Sequence, residues 1–497
     1  MRYLSLYIFL LSVLGLHAQE AQEAIRYSQV PVSGTAKGDA TGGVGASLAA
    51  DFTGVMTNPA VVATYRSSEM AFSAGINQQL THTFLSSDIS NNGIKINLPN
   101  AHVVFTNMRY SDSGKIAKEG VVAMNWALGY NTRQVFNYRS SFSASDINGT
   151  IIDDFLNTVN QGDGIAWDRI ATQMPFDGAM AWEGYLINPI SAQDSTHYNG
   201  IYESGMTASG IRRVRGIQKD FFASFGWNLS NRLYLGASIG IPSIRYSYTN
   251  TYVESDDQGL VDDFESLALR EEVVTRGTGL YGKFGALYVP SKWLRLGASY
   301  QTPTYYGMRD AYNSSIETSF ASANYSYDTP NGRFGYILVT PANLTASASM
   351  IGKLGWLSFD WDQVDYSTAQ FDLESNSNST ADWMHGAVLN NQLSSDYGKV
   401  NNYRIGAELK LKNKQFLRGG YAYYGDPFKD PNTITGDNSR RIYSAGYGKH
   451  FDNCFVDFSV SRSYTEEEHR IYNAADAPQV KRTFEQVQIK GTIGWRF

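Results

Sequence analysis

The residues that most often carry catalysis are present but not assembled. The seven histidines, His17, His82, His102, His197, His385, His450 and His469, are scattered, and none forms an HxxxH or other metal-binding spacing. No pair suited to ligating haem is visible. Asp360 and Asp362 are two residues apart and share a face of an extended segment, a spacing that a carboxylate pair would need, but acids facing a barrel lumen are ordinary. No Gly-x-Ser-x-Gly nucleophile turn and no phosphate-binding loop occurs. The single Cys454 excludes an intrachain disulfide framework. The sequence therefore points to no enzyme, no cofactor and no metal.

Two other groups of residues carry a different chemistry, that of apolar recognition and gating. In the segment 139–216, Ile151, Ile152, Phe155, Leu156 and Val159 recur at helical spacing, followed by Trp167, Ile170, Met174, Phe176, Met180, Trp182, Leu186 and Ile187. This is unusually apolar for a connection between strands. The side chains of Phe155, Leu156, Val159, Trp167, Ile170, Met174, Phe176, Trp182 and Leu186 are candidates to line a ligand groove. The competing reading is that short helices bury these stripes against each other and cap the molecule. The second group lies near the N-terminus, in GTAKGDATGGVGASLAADFTGVMTNPA over 34–60. Gly42 and Gly43 permit unusual backbone angles, and Asn58-Pro59 marks a turn. With Asp51 these are candidate gating residues, although the same residues could simply let the chain fold compactly. Val44, Leu48, Phe52, Val55 and Met56 need somewhere to pack, and the inside of a wide barrel would provide it.

The elements that must position these groups are strands. From Val487 to Phe497 the odd positions are Val, Ile, Gly, Ile, Trp and Phe, and the even ones are Gln, Lys, Thr, Gly and Arg. This is unbroken period two, over about the 9–11 residues that cross a bilayer when tilted. Trp495 and the terminal Phe497 read as a barrel-assembly signal. Similar alternation appears over 403–412, where Arg404, Glu408, Lys410 and Lys412 would face a watery lumen, and over 233–241 and 357–362. After Asp362 the apolar phase passes to Val364 and Tyr366, which predicts a bulge near Gln363. Tight turns at 228–231, 290–292, 352–353, 412–414 and 452–453 take turns with long polar segments at about 139–216, 250–276, 306–340, 368–402, 425–440 and 465–481. Short turns at one end and long loops at the other are expected of an outer-membrane barrel. The strands anticipated are 69–83, 100–110, 120–138, 218–229, 232–249, 277–289, 293–305, 341–351, 354–367, 403–412, 415–424, 441–450, 453–464 and 482–497, an antiparallel β-barrel of about fourteen. Trp227, Trp293, Trp356, Trp361 and Trp495 fall near strand ends, where an interfacial aromatic girdle would sit.

Composition agrees. The 497 residues include 33 Tyr, 25 Phe, 9 Trp and 46 Gly, with 18% charged, and mean hydropathy is −0.31. Alternating lipid-facing and lumen-facing residues give such a mixture without any long apolar run. A net charge of −6 argues against a nucleic-acid role. Arg2, the apolar run Tyr3 to Leu16 and Ala18 read as a cleavable signal peptide over 1–18. The expected organisation is signal peptide 1–18, hatch or plug 19–66 and transmembrane barrel 67–497.

The Gly42-Gly43 pair, the Ala-rich stretch, Asp51 and Asn58-Pro59-Ala60 resemble the FadL/TodX family of outer-membrane transport proteins. Phe359 to Ser367, ending in Asp-Tyr-Ser, is similar to a late strand of that family. Tyr403 to Glu408, with Leu417 to Tyr421 and then Pro427, is similar to its next hairpin. The resemblance covers the N-terminal segment and the C-terminal half and is thin across 139–340. It implies a fourteen-stranded barrel with an N-terminal hatch and short helices in the external loops. It also implies uptake of long-chain fatty acids or aromatic hydrocarbons, captured in the loops, gated by the hatch and released sideways near the third strand, here about 120–138, where Gly129 would permit a kink. The implied setting is a monomer among outer-membrane lipid and lipopolysaccharide, with a hydrophobic small molecule as ligand. Some relatives serve protein secretion systems instead, so a non-transporting scaffold is the alternative.

Overall fold

The computed structural model describes residues 21–110, 114–373, 380–430, 437–472 and 477–497; the signal peptide expected over 1–18 lies outside them. Fourteen antiparallel strands follow one another round a ring: β1 Glu69–Phe84, β2 Asp88–Met108, β3 Val121–Ala144, β4 Thr207–Leu229, β5 Leu233–Ser255, β6 Phe264–Ser291, β7 Leu294–Gln301 continuing as Thr304–Phe320, β8 Gly332–Thr340 continuing as Asn343–Ile351, β9 Gly355–Asp365 with a short continuation Gln370–Asp372, β10 Lys399–Lys410, β11 Gln415–Tyr424, β12 Arg440–His450, β13 Cys454–Arg470 and β14 Gln479–Arg496. β14 pairs back onto β1 from Glu69↔Arg496 to Phe84↔Lys481, which closes the sheet. Pro303 and Pro341 mark the interruptions in β7 and β8, since proline has no N–H for the ladder. Among the described residues no helix is long and apolar enough to cross a membrane.

Side chains alternate as the sequence pattern requires. Phe72, Trp126, Phe225, Ile239, Phe359, Ile405, Phe458 and Ile489 are large, apolar and exposed on the outside of the ring. A girth of such residues is stable only against hydrocarbon, and a closed ring lets neighbouring strands satisfy most of the backbone there. At one end the strands turn tightly. Ser230 and Asn231 both take positive φ, the mark of a hairpin turn whose twist matches its strands, and Asn228 Oδ1 accepts from the Asn231 amide at 2.9 Å. At the other end lie most of the long connections. They are shorter than expected, the longest being 145–206, because β3 to β7 continue well past the apolar girth. Beyond the lipid the outward face need not be apolar, so these extensions carry no alternation to read. β2 likewise begins at Asp88 rather than near 100. At Leu98-Pro99 its register to β1 slips, which inverts the phase and hides the strand from a period-two search.

Two further expectations are corrected. No bulge occurs at Gln363: β9 pairs without a break to β8 and β10 through Val364 and Asp365. Val364 keeps the inward phase and is buried; the inner face itself changes from acidic to apolar. Of the charged inward positions, Lys410 and Lys412 are exposed near the turn, but Arg404 and the half-buried Glu408 meet protein. Arg404 is 1% exposed. It donates to Asp362 Oδ1 at 3.0 Å and lies 3.5 Å from Asp360. Arg418 binds Glu408 at 2.7 Å and Asp457 at 2.5 Å. Removing one partner of a buried ion pair strands the other charge, at a cost of about 3–5 kcal/mol. Arg404→Ala is therefore expected to destabilise the barrel by about that amount, read as a lowered urea midpoint for unfolding from lipid vesicles.

Candidate functional site

The lumen is filled at mid-height by the N-terminal segment. It comprises the helices α1 Ala21–Ser28, α2 Ala36–Ala40 and α3 Phe52–Thr57 and a 3-10 turn Pro59–Thr64. Its partners come from all round the ring. The Ala36 amide donates to Thr492 on β14 at 2.8 Å, and the Gly42 amide to Ser444 on β12 at 3.0 Å. Asp360 on β9 accepts from Gly45 and Ala46 at 3.0 and 3.3 Å. On β3, Asn125 donates to the carbonyls of Val62 and Tyr65. Lys490, fully buried, donates to Ser33 Oγ and the Gly34 carbonyl at 2.9 Å each and pairs with Asp39. Sequence reasoning missed these strand residues, because an inward polar side chain on an alternating strand looks the same whether it meets water or protein.

The candidate gating residues all lie in this segment; Gly42, Asn58 and Pro59 touch the wall, and Gly43 and Asp51 contact the segment itself. Gly42 and Gly43 have φ of +70° and +78°, and a side chain on Gly42 would meet the Tyr421 backbone on β11 at 3.0 Å. Asp51 caps α3 by accepting from the Thr53 amide at 2.9 Å. Asn58 is wholly buried; its Nδ2 donates to Ala46 and to Ala286 on β6, and its Oδ1 accepts from Ala60. Asn58 and Pro59 sit over Gly285 on β6, and Pro59 and Ala60 over Gly236 on β5, places that any larger residue would block. Trp495 and Phe497 are exposed on the outside at the turn end, where the Phe497 amide reaches the Ser68 carbonyl at 3.0 Å.

Above the segment the inner face becomes apolar. Phe136, Val214, Ile244, Tyr246, Tyr306, Met308, Tyr336 and Leu338 from the strands pack with Ile25 and Tyr27 of α1 and with Leu389 and Leu393 of the helix Thr380–Asp396. Beside α1 an open cavity of about 1550 Å³ is lined by Phe136, Tyr246, Tyr397 and Phe428 together with Arg26, Arg212, Arg440, Arg470 and Arg482. Arg26 lies 4.8 Å from the Tyr246 ring. The buried Nε atoms of Arg212, Arg470 and Arg482 have no hydrogen-bond partner. A smaller cavity of about 750 Å³ lies next to it and shares Gln134, Val135, Arg440, Ser463 and Gln486 as walls. It ends at Asn97 on β2 and Thr132 on β3. There the wall has a seam. β2 and β3 pair only from Asn100↔Asn131 to Met108↔Ala123. Beyond that Thr132 Oγ1 reaches the Leu98 carbonyl at 2.8 Å and Asn91 reaches Ser141 at 3.0 Å, contacts made by side chains in place of a ladder. β3 also slips register against β4 at Thr132/Gln134. Pro99, with no amide hydrogen, and its bulge account for the break. Gly129 does not; its missing side chain makes room for the Phe52 ring.

No family model matches the sequence, and no curated protein matches it. Solved structures do. A FadL homologue of Pseudomonas aeruginosa superposes with a TM-score of 0.54 at 12% identity, covering 94% of this chain and 99% of its own. The Pseudomonas putida toluene transporter TodX superposes with a TM-score of 0.52 at 11% identity, covering 93% and 98%. The chain has the FadL fold.

In this FadL-type barrel the long loop is a packed layer. Phe155, Val159, Ile170, Met174 and Leu186 are buried together, with Leu156 and Trp182 packed against them, on Tyr252, Phe264, Leu267, Leu269 and Ile316 from the strand extensions. Phe176 lies against Tyr312. Trp167, 53% exposed, is the one that faces outward. The nine residues thus meet as core and cap rather than as an open groove. The layer is tied down by Glu254, fully buried at the top of β5, which accepts from Thr150 Oγ1, Tyr202 OH and Tyr252 OH at 2.6 Å each. It also accepts from the Ile151 amide at 2.9 Å, at the start of α4 Ile151–Val159. Asp177, half-buried at the start of the short helix Asp177–Glu183, is pushed up to about 8 by burial, with Asp154 and Glu271 adding to the effect. A carboxyl raised in the folded state favours folding below its unfolded pKa and loses that contribution as pH rises from about 4 to about 8. The loop layer should therefore loosen with rising pH, and Asp177→Asn should remove the effect. Hydrogen exchange over 145–206 is expected to match wild type at about pH 5 and to be slower in the variant at about pH 9; equal protection at both would refute the assignment.

Proposed function

We propose that this chain is an outer-membrane uptake channel for hydrophobic small molecules, with the long-loop end outside and the turn end in the periplasm. The observation that carries the reading is a pair of interior cavities with shared walls, the lower of which touches Asn97 and Thr132 where the β2–β3 ladder is broken. A ligand entering beneath the loop layer meets the aromatic and arginine-lined cavity beside α1. It is stopped from falling straight through by the N-terminal segment, which acts as a hatch. Gly42, Asn58 and Pro59 seat that hatch against the wall, and Gly43 and Asp51 shape it from within. The ligand moves down into the adjoining cavity and leaves sideways between β2 and β3, past Asn97 and Thr132. The exposed Ile94, Ile96 and Leu98 of β2 flank that exit on the outside, so an apolar body passes from protein to lipid without crossing water.

The cavity also narrows the class of ligand. The related fold of the toluene transporter suggests an apolar body. Of its five guanidinium groups, Arg26 and Arg482 are paired with Glu23 and Glu467, while Arg212, Arg440 and Arg470 make no ion pair among the described residues and suit a molecule that also has an acidic head. A long-chain fatty acid combines both. A scaffold for secretion machinery needs neither the cavity nor the seam.

Purified barrel is expected to carry long-chain fatty acid visible by native mass spectrometry, and to restore uptake of labelled oleate to cells lacking their own channel. Gly93→Cys with Asn137→Cys, positions that adjoin across the seam, should stop uptake under oxidising conditions, keep the bound ligand, and recover on reduction. Absence of both bound acid and uptake would overturn the reading. Uptake that persists through the locked seam would overturn lateral release alone.

A further inference from the structure

On the outside of the barrel, starting on the strand next to the proposed exit, β4 to β8 carry a cationic field that no carboxylate among the described residues neutralises. The strand register places the residues in three outward rungs. One runs Arg215, Ser247, Val274, Ala311, Arg333. The next runs Ile217, Arg245, Arg276, Arg309, Gly335. The third runs Lys219, Ser243, Thr278, Gly307, Ile337. Three arginines are thus direct cross-strand neighbours, with Arg215, Lys219 and Arg333 around them. Like charges directly opposite one another destabilise a sheet. Among the described residues none of the six makes an ion pair, whereas on the opposite wall Arg462 binds Glu485 at 2.7 Å and Arg441 binds Asp437 at 3.1 Å. The acids nearest in sequence, Asp220 and Asp310, are buried on the inner face, and the outward Glu272 lies four residues beyond Arg276 beside Arg270. The small residues at Ser243, Gly307 and Gly335 leave a depression between the cations, an open hollow of about 1730 Å³ with Lys219, Arg245, Arg276 and Arg309 on its walls.

The height of the field identifies the occupant. On β5 the outward residues from Leu233 to Ile241 are apolar and then give way to Ser243 and Arg245. Nine tilted residues span about the 25 Å of a barrel's lipid-facing band, so Arg245 stands at the headgroup level of the leaflet on the loop side. The outward residues just below are Phe221, Ile241, Leu280, Tyr305 and Val339. An anion held by the arginines would have this apolar surface directly beneath it, where acyl chains lie. We propose that this face binds the phosphorylated sugar headgroup of an outer-leaflet glycolipid, its phosphates bridging Arg245, Arg276 and Arg309 and its acyl chains lying on the aromatic rung below. Planar guanidinium groups take phosphate oxygens two at a time, and the hollow admits a headgroup that a flat wall would not. The site lies outside the lumen and stands whether or not the channel transports.

The test is native mass spectrometry of the detergent-purified full barrel with bisphosphorylated lipid A, with the same lipid dephosphorylated, and with inorganic phosphate as competitor. Wild type should retain the phosphorylated lipid and not the dephosphorylated one. Arg245→Gln/Arg276→Gln/Arg309→Gln should weaken retention about tenfold or more, and the single Arg276→Gln several-fold. Arg462→Gln on the opposite wall should leave it unchanged, and heat-modifiable gel mobility should report a closed barrel in each case. Equal retention by wild type and by the Arg276→Gln and triple variants would overturn the site. Equal retention of the dephosphorylated lipid, or displacement by millimolar phosphate, would overturn its assignment to a lipid phosphate.

Discussion

In hydrocarbon there is no water to satisfy a backbone amide, and every other feature of this chain follows from how that demand is met. Fourteen strands meet it by closing: Glu69 opposite Arg496 and Phe84 opposite Lys481 join the last strand to the first. A closed ring of this size encloses more space than its own side chains can fill. The inner face is polar, so whatever fills the space must answer hydrogen bonds and charges rather than apolar surface. Residues 21–64 do so. Their amides and carbonyls meet Asp360, Asn125, Thr492 and Lys490, and glycines on the wall let the backbone of Asn58-Pro59-Ala60 and Thr41-Gly42 come close.

The same demand explains where the wall is weak. One proline removes one ladder donor, and the bulge at Leu98-Pro99 shifts the phase of β2. From there upward β2 leans on β1, β3 leans on β4, and the two touch each other only through side chains. A gap in pairing is tolerable at this point because Asn91, Thr132 and Ser141 supply substitutes for some of the missing backbone bonds. The smaller cavity has Asn97 and Thr132, at this seam, among its walls.

Charge is distributed by the same logic of compartments. Inside, cations at the level of the N-terminal segment are paired: Arg404 with two aspartates, Arg418 with Glu408 and Asp457, Lys490 with Asp39. Higher in the lumen Arg26 and Arg482 are paired with Glu23 and Glu467, while Arg212, Arg440 and Arg470 border open space without an ion pair among the described residues. On the outer wall of β5 to β7, Arg245, Arg276 and Arg309 stand at the edge of the lipid band without a carboxylate partner among the described residues. Paired charge marks contacts within the protein, and unpaired charge marks surfaces that meet something else.

The sequence by itself determined the barrel. Period-two alternation, the aromatic ends of strands and the alternation of short turns with long loops follow from lipid outside and protein or water inside, and each is a local pattern that a single strand displays. It also located the Gly-Gly and Asn-Pro segment as the filling of the lumen, because its apolar residues had no strand to belong to. What only the tertiary structure decided concerns residues whose meaning depends on a neighbour distant in the chain. Val364 looks like a slip of phase until β8 and β10 show that it faces inward. Arg404 looks solvated until Asp360 and Asp362 enclose it. The stripe from Phe155 to Leu186 reads equally as groove or core until the strand extensions are seen beneath it. The extensions were invisible because, past the lipid, neither face is obliged to be apolar. Strand register across the ring, which no alternation encodes, brought Arg245, Arg276 and Arg309 side by side and left β2 and β3 apart.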